Sequence, residues 1–204
     1  MLVQGATGAV NKYADGVAPP QGVRQGNQGE VMVSELHGRY YEQSYRRNLF
    51  TAANAALVTT SVGLATTATG LILSNPIGNL VNLSLLKVGW AMAVAPAAAY
   101  FIGLAQGYSA STNVVHTTPV APAAGLYGIA VPTAKTDTAA TLPLAPNYQL
   151  VLGGGGAAVY TGPSIYDLEG SLILPPGGFA IIATSVASGA AGFAGSFMWE
   201  EIPI

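Results

Sequence analysis

Two imidazoles, His37 and His116, are the first side chains to weigh for acid–base or metal chemistry. Neither stands at a spacing that places a nucleophile or further ligands in register with it. His37 precedes Gly38 and reads as a hydrogen-bonding turn residue; His116, in Asn113–Thr118, reads as a polar loop residue. The run Gly153-Gly154-Gly155-Gly156 invites a phosphate-loop reading, but no Lys-Ser/Thr follows it and no helix is indicated after it. It is expected to be a flexible loop. Asp167 and Glu169 would share one side of a strand and could attract an oxygen-liganded cation such as calcium. No third or fourth ligand stands at a coordinating spacing, so two solvated carboxylates are expected. Cysteine is absent, which removes disulfides, thiolate metal sites and cysteine nucleophiles. The expectation is therefore no catalytic residue, no metal and no cofactor.

A different chemistry is concentrated near the N-terminus. Arg39, Tyr40, Tyr41, Tyr45, Arg46 and Arg47 form a cluster of the side chains most enriched at the energetic centres of protein interfaces. They bury area while keeping polar tips, and arginine can grip a carboxylate with two parallel hydrogen bonds. Trp199, beside Glu200-Glu201, is a further candidate for partner contact, since one of two adjacent strand carboxylates must face inward or toward an interface. The same Tyr/Arg cluster could stack RNA bases, but the chain carries a net charge of −2, which does not draw it to nucleic acid. The alternative to an interface is an arm folded back on its own body.

These residues sit in a chain of 204 residues whose ions are unevenly spread. Nine of the sixteen formally charged side chains fall between Lys12 and Arg47. From Asn48 onward only Lys87, Lys135, Asp137, Asp167, Glu169, Glu200 and Glu201 remain. A solitary soluble domain normally carries more. The expectation is a polar N-terminal arm, residues 1–47, feeding a body, residues 48–204, whose surface is covered by other chains. Residues 1–30 are rich in Gly, Gln, Ala and Pro and hold little to bury, so alone they should be extended and mobile. Residues 31–50 fit a short helix or an extended arm, with Tyr41 and Tyr45 on one face if helical.

The body reads as short strands. Val81, Leu83 and Leu85 alternate with polar residues, and the phase slips at Leu86-Lys87-Val88, as a bulge would make it. Further strands are expected at Ala56–Val62, Leu71–Leu73, Tyr100–Leu104, Leu126–Val131, Tyr148–Leu152, Ser171–Leu174, Phe179–Val186 and Gly195–Ile202. Pro175–Gly178 and Ser188–Gly192 read as hairpin-type connections. Five prolines between Pro119 and Pro146 mark loops and sheet edges. Val88–Tyr108 is uncharged and long enough to span a bilayer, and mean hydropathy is +0.44. Pro96, three interrupting residues (Gly89, Gly103, Gln106) and a two-residue period at Trp90, Met92 and Val94 argue against a membrane helix. The start, Met-Leu-Val-Gln-Gly, does not read as a secretory signal. All of this predicts an all-β protein, an antiparallel β-sandwich or barrel with an extended N-terminal arm.

The segment Leu71-Ile72-Leu73-Ser74-Asn75-Pro76, followed by Gly78-Asn79-Leu80-Val81-Asn82-Leu83, resembles a pattern of tailed-phage structural proteins. There an Asn-Pro turn, a glycine and alternating apolar residues form a jelly-roll hairpin. Leu36–Glu42 and the closing Phe197–Pro203 look like the flanks of such sequences. The resemblance narrows the fold to an antiparallel β-sandwich of jelly-roll type and implies a virion component on the outer capsid surface: a cement, or decoration, protein that is non-enzymatic and commonly trimeric. Its partners would be the major capsid protein and copies of itself, with an arm as anchor and with no nucleic acid and no membrane bound. The alternative within that setting is a tail or head-fibre adaptor or receptor-binding knob, contacting its target through Tyr160, Tyr166 and the loops of Pro119–Pro146.

Overall fold

The computed structural model describes residues 39–62, 64–126, 131–157 and 163–204. Residues before Arg39, including His37, lie outside the described part, as do 127–130, which hold most of the strand expected at Leu126–Val131. The compact unit that carries the β-structure runs from Tyr40 to Ile204. A short helix, α1 (Tyr41–Tyr45), leads into β1 (Leu49–Ala53), which settles the choice left open for residues 41–45.

Eight strands make the sandwich: β1, β2 (Thr67–Ser74), β3 (Val81–Met92), β4 (Tyr100–Tyr108), β9 (Asn147–Gly155), β10 (Ser164–Leu174), β11 (Gly178–Thr184) and β12 (Phe193–Pro203). In order along the chain the first pairs with the last, β1 with β12, then β2 with β11, β3 with β10 and β4 with β9, all antiparallel. That is one long antiparallel ribbon. It is rolled up so that β12 also pairs with β3 and β11 with β4. The result is the jelly roll, two face-to-face sheets with the orders β1-β12-β3-β10 and β2-β11-β4-β9 at their centres.

Because successive strands alternate between sheets, most connections cross the sandwich. The Asn75–Asn79 turn, Pro175–Gly178 and Ser188–Gly192 are therefore bridges between sheets, correcting their reading as hairpins. Two of them are stitched together: Asn75 donates from Nδ2 to Val81 O and Leu174 O, while its backbone exchanges hydrogen bonds with Gly177 and Gly178. The slip at Leu86 is a bulge, for Lys87 faces Met198 while Leu85 faces Trp199. Ala56–Val62 is not a strand; it contributes only two isolated bridges, at Val58 and Val62. Gly153–Gly155 complete β9 against Tyr100–Ile102, so that part of the glycine run is strand rather than loop. A side chain on Gly154 would crowd the Tyr100 carbonyl, which explains the residue type there.

Between β4 and β9 lies an insertion, residues 109–146. It carries β5 (Val115–His116), β6 (Pro119–Val120), β7 (Ala123–Ala124) and β8 (Lys135–Thr141). β8 extends the second sheet beyond β2, with β5 and β6 on its far side; β7 extends the first sheet beyond β1. The sheets thus become five-stranded and seven-stranded. The prolines predicted edges here, and Pro119 does open an edge strand.

The main core fills the space between the sheets, with Trp199, Phe193, Phe197, Leu71, Leu73, Leu83, Leu85, Ile102 and Leu104 fully buried. A second apolar cluster lies on the seven-stranded sheet, from alternate residues of the same strands: Ala68, Ile72, Ala105, Phe179, Ile181 and Ala183, covered in part by Val114, Leu142 and Tyr148. Gly103 and Gly107 of β4 make room for it. A Cβ on Gly107 would fall 2.3 Å from the Phe179 ring, and one on Gly103 2.6 Å from Tyr148. Among the described residues, no helix is long and apolar enough to cross a membrane.

Candidate functional site

The Tyr/Arg cluster is gathered on and around α1. Tyr41 and Tyr45, one helical turn apart, stack with ring centroids 6.1 Å apart and planes 8° from parallel, and both remain exposed. Arg39, Arg46 and Arg47 are exposed as well. Arg47 adopts a left-handed backbone, φ 67°, which ends the helix and turns the chain into β1. Tyr40 lies lower, its ring 5.5 Å beneath the Lys87 ammonium. Burial raises the Glu200 carboxyl pKa above its ordinary value, and the charge of nearby Arg46 offsets only part of that rise. Five of the seven expected partner-contact residues, Tyr40, Tyr41, Tyr45, Arg46 and Arg47, therefore form one neighbourhood, while Arg39 ends the preceding unit.

Trp199 does not belong to this neighbourhood. Its side chain is 0 % exposed and packs 6.0 Å from Phe50 in the core. In β12, Phe193, Phe197, Trp199 and Glu201 all point inward, so strand alternation directs the indole away from any partner.

Glu201, on that inward side, is 6 % exposed and accepts hydrogen bonds from the backbone of Thr133 and Ala134 and from the Thr133 hydroxyl. Asp137, 0 % exposed, accepts from the backbone amides of Thr117, Thr118 and Ala139. Glu201 ties the insertion to β12, and Asp137, itself on β8, ties the turn between β5 and β6 to β8 within the insertion. An ion so buried is tolerated because its oxygens meet several N–H donors. The consequence for the surface is direct. With Asp137 and Glu201 buried, the body shows the solvent only Lys87, Lys135, Asp167, Glu169 and Glu200 among its described ions.

Around Asp137 the fold assembles a constellation that the separations along the chain conceal. Ser74 at the end of β2 and His116 on β5 meet at 2.9 Å, Oγ to Nε2. His116 Nδ1 lies 3.3 Å from Asp137 Oδ2, a charge contact off the line of a good hydrogen bond. Lys135, directly opposite Ser74 in the β2–β8 ladder, lines the same cleft of about 160 Å³ with Asn75, Asn113, Val114 and Gly177. Burial lowers the His116 pKa first of all; Asp137 opposes that and the Lys135 charge adds to it. His116 is thus an edge-strand residue with fixed neighbours rather than a loop residue. One available signal was Asp137 itself, an acid in the middle of Lys135–Thr141, which a buried strand position obliges to find partners.

The remaining candidates stay apart. Asp167 Oδ1 accepts from the Glu169 amide and Oδ2 lies 3.7 Å from Lys87 Nζ. Glu169 and Gly170 are left-handed, φ 53° and 77°, at the bulge of β10, so the two carboxylates are not neighbours on a regular strand face. Among the described residues no three potential metal ligands converge. Tyr166 is half exposed on β10; Tyr160 lies outside the described residues.

The outward face of the five-stranded sheet is a shallow trough. Thr51, Ala53, Gly89, Ala91, Ala123, Ala194, Ser196 and Met198 floor it, Ile165 rises at one rim and Lys87 stands at one end. Comparison of the chain with family models, with curated proteins and with solved structures returns no match.

Proposed function

We propose that this chain is a structural protein of a virion, a capsid cement protein of tailed-phage type, whose assembly role is exerted by contact. Copies associate, as trimers, through the small-residue face of the five-stranded sheet, and the Tyr/Arg cluster beside the N-terminal arm grips the major capsid protein. The observation that carries this reading is the trough. It is a broad outward surface of Ala, Gly, Ser and Thr whose floor holds no ion, on a body with five surface charges. Such a surface is poorly suited to keeping single molecules apart. The exposed Tyr41–Tyr45 stack with Arg46 and Arg47 has the composition of an interface centre, aromatic area ringed by cations that suit carboxylates on a neighbour. Several arms on one oligomer would multiply a modest single contact.

The native mass of the full-length protein tests the first half. The expected result is a trimer; a monomer that persists at high concentration overturns it. For the second half, the combined change Tyr41→Ala, Tyr45→Ala, Arg46→Ala and Arg47→Ala should leave the oligomer mass unchanged and remove binding to shells of the major capsid protein. Undiminished binding would return the cluster to a purely intramolecular role.

A further inference from the structure

We propose that Ser74 is a general-base-activated nucleophile and that the cleft around it is an acyl-transfer site for small esters. The inference is independent of the assembly role. Its basis is the convergence of five side chains from the second sheet and the insertion. Ser74 Oγ is 2.9 Å from His116 Nε2, within the range in which a base takes a hydroxyl proton. Asp137 faces the other imidazole nitrogen at 3.3 Å, and its charge favours a proton on Nδ1, leaving Nε2 free to accept from Ser74. The carboxylate is itself immobilised by the three backbone amides of Thr117, Thr118 and Ala139. Contacts of this kind are commonly long before a substrate is bound.

Stabilisation of the oxyanion would come from side chains. The backbone amides nearest Ser74 are already committed: Asn75 N–H to Gly178 O, Ile77 N–H to Asn113 Oδ1, Gly177 N–H to Asn75 O and Gly178 N–H to Pro175 O. Residue 76 is proline and has none. The cleft wall also holds two side-chain donors, the Lys135 ammonium and the amide nitrogen of Asn113, whose oxygen accepts from the Ile77 amide. Removing a side-chain donor of that type costs a hydrolase roughly 10²–10³ in rate.

The step balances within the site. Ser74 Oγ attacks the ester carbonyl carbon and its proton passes to His116 Nε2. The tetrahedral oxyanion collapses, the C–O bond to the leaving alcohol breaks, and that oxygen takes the proton back from His116. The product is O-acyl-Ser74, which water attacks in the same way to release the acid. A cleft of about 160 Å³ restricts the acyl group to a few carbons, since a cavity of roughly that size holds a benzene-sized ligand.

The experiment incubates the full chain with p-nitrophenyl acetate and, separately, with a short alkyl fluorophosphonate, locating the adduct by peptide mass. A single adduct on Ser74 is expected, absent in Ser74→Ala. His116→Gln should slow its formation by about 10²-fold or more, and Lys135→Met, a change at an exposed side chain, by about tenfold or more. The wild-type rate should rise with pH and level off below the ordinary imidazole value of 6.5, as His116 loses its proton. No Ser74 adduct, a label that survives Ser74→Ala, or a rate rising with hydroxide without a plateau would each overturn the proposal. The plateau decides the matter even if His116→Gln fails to fold.

Discussion

The two sheets of this sandwich turn different faces outward. On the seven-stranded sheet, Ile72, Phe179 and Ile181 form an apolar cluster that is fully buried, because Tyr148 and the insertion lie over it. On the five-stranded sheet, the corresponding positions of β12 are Ala194, Ser196 and Met198, half-buried in an open trough. Both faces come from strands that alternate just as regularly. What separates them is side-chain size, and size follows from what covers each face within one molecule. A face that the chain itself covers can afford Phe and Ile; a face left open is trimmed to Ala, Ser and Gly, which limits exposed apolar area while leaving a flat surface. Cover is also what the buried ions provide for. Glu201 fastens the insertion to β12 and Asp137 holds the turn between β5 and β6 on β8; among the described residues no comparable device fastens anything over the trough.

The sharpest way to break this contrast is to truncate one residue on each face. Phe179→Ala should destabilise by about 3–5 kcal/mol, the range for emptying a buried aromatic site. Met198→Ala, on the open face, should cost about 1 kcal/mol or less. Denaturant midpoints with unchanged m-values give both numbers. Equal losses would mean that the two outward faces are energetically alike.

A smaller effect is expected at the pins. Asp137→Asn and Glu201→Gln keep shape but remove the charge that several N–H groups converge on. Each should cost about 2–3 kcal/mol, as for hydrogen bonds to a charged group. The loss should be local, with amides of 117–118 or 133–134 exchanging faster with solvent while those of β11 keep their protection. Uniform loss across both sheets would show that the insertion is part of one cooperative unit rather than a fastened cover.

How much of this was legible in the chain depends on range. The period of two from Val81, the bulge at Leu86 and the turn at Asn75-Pro76 are local, and the sequence signals matched what formed. Whether a turn closes a hairpin or bridges two sheets is set by distant partners. Pro175–Gly178 and Ser188–Gly192 carry the same signals in either case, so their role was misread. Trp199 shows the same limit at the level of one residue. An aromatic beside two glutamates suits an interface, but its direction follows from the inward positions of Phe193 and Phe197 in the register with β3. The Ser74, His116 and Asp137 group depends on β8 lying between β2 and β5, which no spacing encodes. Burial alone hinted at Asp137, through the oddity of an acid within a strand of Ala and Thr.

The smallest effect on stability bears most on assembly. Ala53 is exposed at the floor of the trough, on β1 opposite Ser196. Ala53→Arg adds a long cation that solvent can accommodate in a single molecule, so its unfolding free energy should change by about 0.5 kcal/mol or less. Were a second copy seated on this face, the same arginine would be pressed against Ala, Gly and Ser with no carboxylate on the trough floor to receive it. An unpaired charge buried in a contact costs several kcal/mol, enough to abolish a weak oligomer. Sedimentation of the variant should therefore yield folded monomers. An oligomer of unaltered mass would place the contact elsewhere, with the open edges β9 and β10 next in line. Both edges are bulged, β9 opposite Ile102–Ala105 and β10 between Asp167 and Leu172. Bulges twist an edge away from further strand pairing, and this is why the flat face, rather than either edge, is the first place to put the arginine.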